Sequence, residues 1–181
     1  MRTILKQALS FHVNDREAIV FLKTWRFITL ILVALFMGLE FCHVLELPAK
    51  MQYDGSLYVT LQNTLYRYFG APGPGAFVTI GAIVSAAVLS LVVRKRRTVF
   101  YWTLAGTICL AIAFPLIFFL FIEPVNIVFR QATPESVPAN WMQLRNQWEY
   151  AHAANFVFSL VGFSALLISV LIEEWESRGD R

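Results

Sequence analysis

Residues 25–50 read WRFITLILVALFMGLEFCHVLELPAK. From Trp25 to Glu46 the stretch is apolar enough, and close enough to the roughly 20 residues needed to cross a hydrocarbon core of about 30 Å, to be a membrane span. Its outgoing end, Met37 to Lys50, is unusual because Glu40, His43 and Glu46 recur at every third position. On a helix, residues three apart lie about 60° round and about 4.5 Å along from each other, so the three form one polar stripe. An ionisable group within a span costs roughly 2.5 to 3.5 kcal/mol on insertion scales. The stripe therefore requires partners from other helices.

The rest of the chain supplies the spans for such partners. The 181 residues are 57% hydrophobic and 15% charged, with 16 Phe, six Tyr and five Trp, a composition suited to a bilayer. Further apolar stretches at about 75–93, 98–122 and 153–172 join 25–46 to predict an all-α, integral membrane four-helix bundle. Residues 1–24, with Ile4, Leu5, Leu9 and Phe11 among Arg2, Lys6, Arg16 and Lys23, read as an amphipathic arm on the cytoplasmic face. Asn14 or Asp15 is expected to cap a second helical start there, and His12 to be solvated. Residues 173–181 form a short tail.

Eleven of the fifteen Lys and Arg lie in the arm through Arg26, in the turn Arg94 to Arg97, or in the tail; Lys50, Arg67, Arg130 and Arg145 occupy the two long loops. This asymmetry places both termini in the cytoplasm and the long loops outside; the location expected is a bacterial inner membrane, with those loops periplasmic. The asymmetry also accounts for the net charge of +3 without nucleic acid. Cys42 and Cys109 form no C-x-x-C pair, which excludes paired-thiol redox chemistry and a cysteine-rich metal site.

The outer loops carry structure of their own. Leu57, Leu61 and Leu65 recur every fourth residue and predict a helix lying flat at the outer interface, ended by Gly70, Pro72, Gly73, Pro74 and Gly75. Its Gln62, Asn63 and Arg67 either cover the mouth of the bundle or meet water. Pro115 predicts a kink in the third span. Beyond Pro138, residues 140–150 read as helix continuous with the fourth span, projecting outward by about three turns. Trp141, Arg145, Trp148, His152 and Asn155 follow steps of four and three and share one face, and Arg145 stands four before Glu149, a spacing that permits an ion pair.

With this topology Glu40 and His43 on the first span share a depth with Glu149 and His152 on the fourth, two antiparallel Glu-x-x-His pairs. Such pairs surround iron or manganese in bundle proteins because i and i+3 side chains converge on one ion. The same four residues without metal make an acid-base pocket, since His beside Glu moves protons near neutral pH. They can also simply hydrogen-bond to lock helices together. Glu46 beside Lys50 reads as an ion pair at the rim. Trp141, Trp148 and Tyr66 read as an apolar wall for a flat ligand or as an interfacial aromatic belt.

The run Pro124, Val125, Asn126, followed by Trp141, Arg145, Trp148, Glu149 and His152, resembles the anthrone oxygenase-like family of small four-span membrane proteins, a domain of unknown function. Residues 40–50, Glu-Phe-Cys-His-Val-Leu-Glu-Leu-Pro-Ala-Lys, look like a bacterial subgroup of it. The resemblance implies, from the few fungal members with an assigned role, oxidation of an anthrone to an anthraquinone by molecular oxygen, with His152, Glu149 and Asn126 in the pocket. The combined expectation is an outer-leaflet pocket built on Glu40, His43, Glu149 and His152, with Asn126, Trp141, Arg145, Trp148 and Tyr66 around the ligand and Arg145 orienting Glu149. It would oxidise a lipophilic aromatic or quinol-like molecule, with iron or another transition metal, or with no metal. The partners expected are the lipid bilayer and a lipophilic small molecule, with room for a homo-oligomer or a second membrane protein. The rival expectation is a non-enzymatic scaffold or complex subunit in which the polar cluster fixes packing.

Overall fold

The computed structural model describes residues 2–70 and 72–179, with side chains described over 16–70 and 72–175. Its elements are α1 (Arg2–Lys50), α2 (Gly55–Thr64), a single 3-10 turn (Tyr66–Tyr68), α3 (Pro74–Val93), α4 (Arg97–Ala111), an irregular helical segment (Ile112–Ile122), α5 (Glu123–Gln131) and α6 (Trp141–Gly179). Among the described residues there is no strand, only an isolated bridge between Thr133 and Ser136. Four helical stretches are long and apolar enough to span a membrane: Arg16–Lys50, Pro74–Val93, Arg97–Gln131 and Trp141–Trp175. The protein is thus an all-α four-helix bundle.

One local expectation is corrected. Helix α1 runs unbroken through Asn14 and Asp15, so neither caps a new start. A helix already carrying its backbone hydrogen bonds through those positions has no orphan N–H groups there for a cap to satisfy. The side chain of His12 lies outside the described residues.

Apolar packing alone is a weak adhesive between helices in lipid, so close backbone approach and buried polar contacts do much of the holding. Helices α4 and α6 meet through Gly106 and Gly162, where a Cβ on Gly106 would stand 2.8 Å from the Gly162 carbonyl oxygen. Helices α1 and α3 are joined by Thr29 and Ser85, whose hydroxyls are 2.6 Å apart, and by Trp25 Nε1 donating to the Ser85 carbonyl at 3.1 Å. Ser90 and Thr107 link α3 to α4 at 3.0 Å. At the end of the bundle nearest the termini, Glu173 of α6 is paired with Arg26 of α1 and Arg96 of the α3–α4 turn. The rings and aliphatic chains of Phe27, Ile31, Leu35, Phe77, Val84 and Leu91 point away from the core, as lipid contact requires.

The opposite, loop end is capped by α2, started by Asp54 accepting from the Leu57 N–H at 2.8 Å. The helix exists as expected, but it turns Tyr58, Val59 and Gln62 into the bundle and leaves Leu57 and Leu65 outward. Asn63 pins it in place by donating to the carbonyls of Phe129 at 2.9 Å and Ala132 at 3.1 Å, orphan acceptors at the end of α5. The chain then doubles back so tightly that a Cβ on Gly75 would lie 1.8 Å from the Phe69 carbonyl oxygen, the reason this turn is built from glycine. The kink expected at Pro115 is present: Phe114 leaves helical geometry (φ −141°, ψ 120°). In consequence α3 packs along α4 but separates from Ile112–Ile122, which leans on α6 instead.

Candidate functional site

Helices α1 and α6 are packed antiparallel neighbours, so the two Glu-x-x-His pairs come to one level. They are not equivalent there. His152 Nδ1 lies 2.7 Å from Glu40 Oε2, with Asn155 buried one turn along α6. The His43 ring stacks obliquely on His152 with centroids 4.1 Å apart and meets Trp148 edge-on at 4.8 Å. All three residues are buried, and His43 Nδ1 and His152 Nε2 have no protein partner. An unsatisfied buried polar atom costs roughly 1 to 3 kcal/mol, so two side by side mark a place prepared for something else.

Next to this cluster lies a cavity of about 650 Å³ at the loop end, lined in part by Glu40, His43 and His152. Its walls are largely aromatic: Phe36, Tyr66, Phe69, Phe114, Phe118, Phe129 and Trp148. Gln62, Asn126, Glu123, Arg67 and Arg130 complete the lining toward the loops. The volume and the balance of a few polar groups in an apolar wall are those of a small-molecule site.

Glu149 belongs to a second network beside this cavity. Its Oε2 is 2.8 Å from the Lys50 ammonium, and its Oε1 accepts from the Tyr58 hydroxyl at 2.9 Å, which accepts in turn from Gln62 at 3.0 Å. Lys50 is only 1% exposed. Its ammonium also lies 3.6 Å from Glu46 and 4.9 Å from the ring centroids of both Tyr66 and Trp148. Tyr66 donates its hydroxyl to Glu46 at 2.5 Å. Burial, reinforced by the neighbouring carboxylates Glu149 and Glu46, pushes the phenols of Tyr58 and Tyr66 well above the ordinary tyrosine range, so both remain donors.

Several expectations change accordingly. Lys50, read as rim, is buried and is the counter-ion of Glu149. Arg145 does not pair with Glu149; its Nη1 donates to the carbonyls of Met51 at 3.1 Å and Tyr53 at 3.4 Å, just past the end of α1, and its guanidinium stacks 5.0 Å from the Trp141 ring. A planar cation suits that terminus, where unpaired carbonyls and the negative end of the helix dipole meet. Trp148 is 2% exposed and no belt residue; its Nε1 donates to Asn126 Oδ1 at 2.8 Å. Asn126 donates to Glu123 at 3.1 Å, and both line the cavity. Trp141 packs on Tyr58 behind α2 and, like Arg145 and Glu149, is not in the cavity wall.

The arrangement does not fit an ion shared by His43, His152, Glu40 and Glu149. The Glu149 carboxylate carries an ammonium and a phenol, and among the described residues no three His, Cys, Asp or Glu side chains are grouped to hold a metal. What the geometry suits is proton transfer. With Nδ1–H donating to Glu40, the His152 ring presents the lone pair of Nε2, the tautomer a general base needs.

Of the two readings of Gln62, Asn63 and Arg67, the one in which they cover the mouth of the bundle matches their place in the cavity lining. Lys50 and Tyr58 are not among the expected site residues, although sequence spacing holds a signal for each. Continuing the Glu40–His43 stripe by two turns reaches Lys50, and Tyr58, Gln62 and Tyr66 repeat every fourth residue. The chain shows no significant match to any family model, to any curated protein or to any solved structure.

Proposed function

We propose that the loop-end cavity binds a flat, lipophilic phenolic or quinol-like molecule, and that His152, oriented by Glu40, removes a proton from it so that the electron-rich anion is oxidised by molecular oxygen. The observation that carries this reading is the Glu40–His152–His43 cluster on the polar side of an aromatic cavity, with one nitrogen of each imidazole free of protein partners. The rings of Phe69, Phe118 and Trp148 would sandwich a planar ligand, and His43 would hydrogen-bond its oxygen. For an anthrone the reaction converts a ring methylene to a carbonyl; one oxygen atom of O2 enters the product and the other leaves as water. The resemblance of Trp141 to His152 to the anthrone oxygenase-like family supports this choice. Charge asymmetry supports an orientation with the cavity in the outer, periplasmic leaflet.

The test is oxygen uptake by the protein in lipid nanodiscs supplied with an anthrone or a quinol. Uptake should match product formation, and His152→Ala or Glu40→Gln should lower its rate by about 10²-fold, the scale of general base catalysis. Metal chelation should leave the rate unchanged. Uptake indifferent to both substitutions, in variants that keep their helical fold, sinks the catalytic reading and leaves the cluster as an interhelical lock in a scaffold protein.

A further inference from the structure

The cavity reaches the surface of the bundle on its lipid-facing side. Ile80 of α3 and Phe119 of the irregular segment both line it, yet they are 50% and 58% exposed. Ile80 sits two turns inside the loop end of α3, and Phe119 one turn short of Ile122, so both stand at the depth of the hydrocarbon core. A side chain that faces a cavity and the bilayer together stands at an opening between them. The opening has a structural cause: past Phe114 the chain is redirected toward α6, so that α3, which packs along α4, is only sparsely packed against residues 112–122. The water-side rim is different in character, carrying the Glu123–Arg130 ion pair and Arg67.

The cavity is therefore polar where Glu40, His43 and His152 meet and apolar where it faces lipid. Resting on the reading that this cavity takes a lipophilic ring compound, we infer that the ligand is a bilayer-resident amphiphile, a hydrogen-bonding ring carrying a hydrocarbon tail, which enters sideways between α3 and residues 112–122. Its ring reaches His43 and His152, and its tail stays between Ile80 and Phe119 in the leaflet at the loop end. A tail left in lipid keeps its hydrophobic solvation throughout, so only the ring exchanges environments on binding.

Full-length protein in lipid nanodiscs, with Trp25, Trp102, Trp141 and Trp175 replaced by Phe, leaves Trp148 in the cavity wall as a single fluorophore. Two quinones that quench tryptophan are compared, one with a long polyprenyl tail and one with the same ring and no tail. Ala76→Phe with Ile80→Phe should slow quenching by the tailed quinone at least fivefold, and Phe119→Ala should accelerate it, while the tailless quinone changes less than twofold in either background. Phe119→Ala deletes a ring that is more than half exposed and whose aromatic contacts, among the described residues, are only the rings of Phe114 and Phe118, so it carries the test if the bulkier double variant misfolds. Equal effects on both quinones, or none on the tailed one, overturn sideways access while the cavity's role as a binding site stands. If neither quinone quenches Trp148, the binding reading itself fails and the route fails with it.

Discussion

Lys50 is the residue on which most of the loop-end electrostatics depends. A buried ammonium is tolerated only because Glu149, Glu46 and the faces of two rings surround it. Lys50→Met should destabilise the protein by about 3 to 5 kcal/mol, because it leaves the Glu149 carboxylate buried against a phenol alone. The double variant with Glu149→Gln should recover a large part of that loss, as read from unfolding midpoints in mild detergent. The two tyrosines of this network give a pH signature. Their folded-state values lie above the ordinary tyrosine value near 10, so the stability they add is complete below that pH and is lost as pH climbs through the folded values. In a spectrophotometric titration, tyrosinate absorbance from Tyr58 and Tyr66 should appear only late, together with loss of structure, and Tyr58→Phe and Tyr66→Phe should each remove a share of that late component.

At the scale of elements, the contact of α4 with α6 depends on two missing side chains. Gly106→Leu places carbon against the Gly162 carbonyl and the Leu166 side chain, and overpacking of this kind costs about 1 to 3 kcal/mol. Gly38→Leu is the matched control, since nothing lies within 4 Å of a Cβ there. A thermal-unfolding series should lower the midpoint for the first and leave it nearly unchanged for the second. Arg145 ties the projecting first turns of α6 to the chain leaving α1, so Arg145→Ala should loosen both together. Faster amide exchange over residues 47–53 would report it, with the Glu40–His152 pair two or more turns away left intact. Helix α2 illustrates the limit of periodicity: the leucine repeat locates the helix, whereas the face buried is the one with Tyr58, whose hydroxyl finds a carboxylate that no local pattern reveals.

For the whole molecule, Arg26 of α1 and Arg96 of the α3–α4 turn meet Glu173 at one end, and the cavity lies at the other. Positive residues favour the cytoplasmic side, so the loop end should face outward. In a background with Cys42 and Cys109 replaced by Ala, Ser136→Cys should react with a membrane-impermeant maleimide added to intact cells. Lys95→Cys should react only after permeabilisation. Labelling in the reverse pattern would invert the orientation and put the cavity in the cytoplasmic leaflet.

Span number, span order and the level shared by Glu40, His43, Glu149 and His152 are properties of the sequence itself, because hydrocarbon thickness fixes span length and a helix converts spacing into depth and face. Which of those groups touch was decided by tertiary packing. Glu40 and Glu149 sit on like motifs, yet one meets an imidazole and the other a lysine, since α2 brings Tyr58 down onto Glu149 and the end of α1 carries Lys50 underneath it. Arg145 likewise had Glu149 within helical reach and took the carbonyls beyond α1, where its Nη1 meets two acceptors at once. The stretch from Trp25 to Lys50 therefore announced a membrane helix with a polar end. Only the packing of α2, α6 and the kinked segment around it made that end one side of an aromatic cavity.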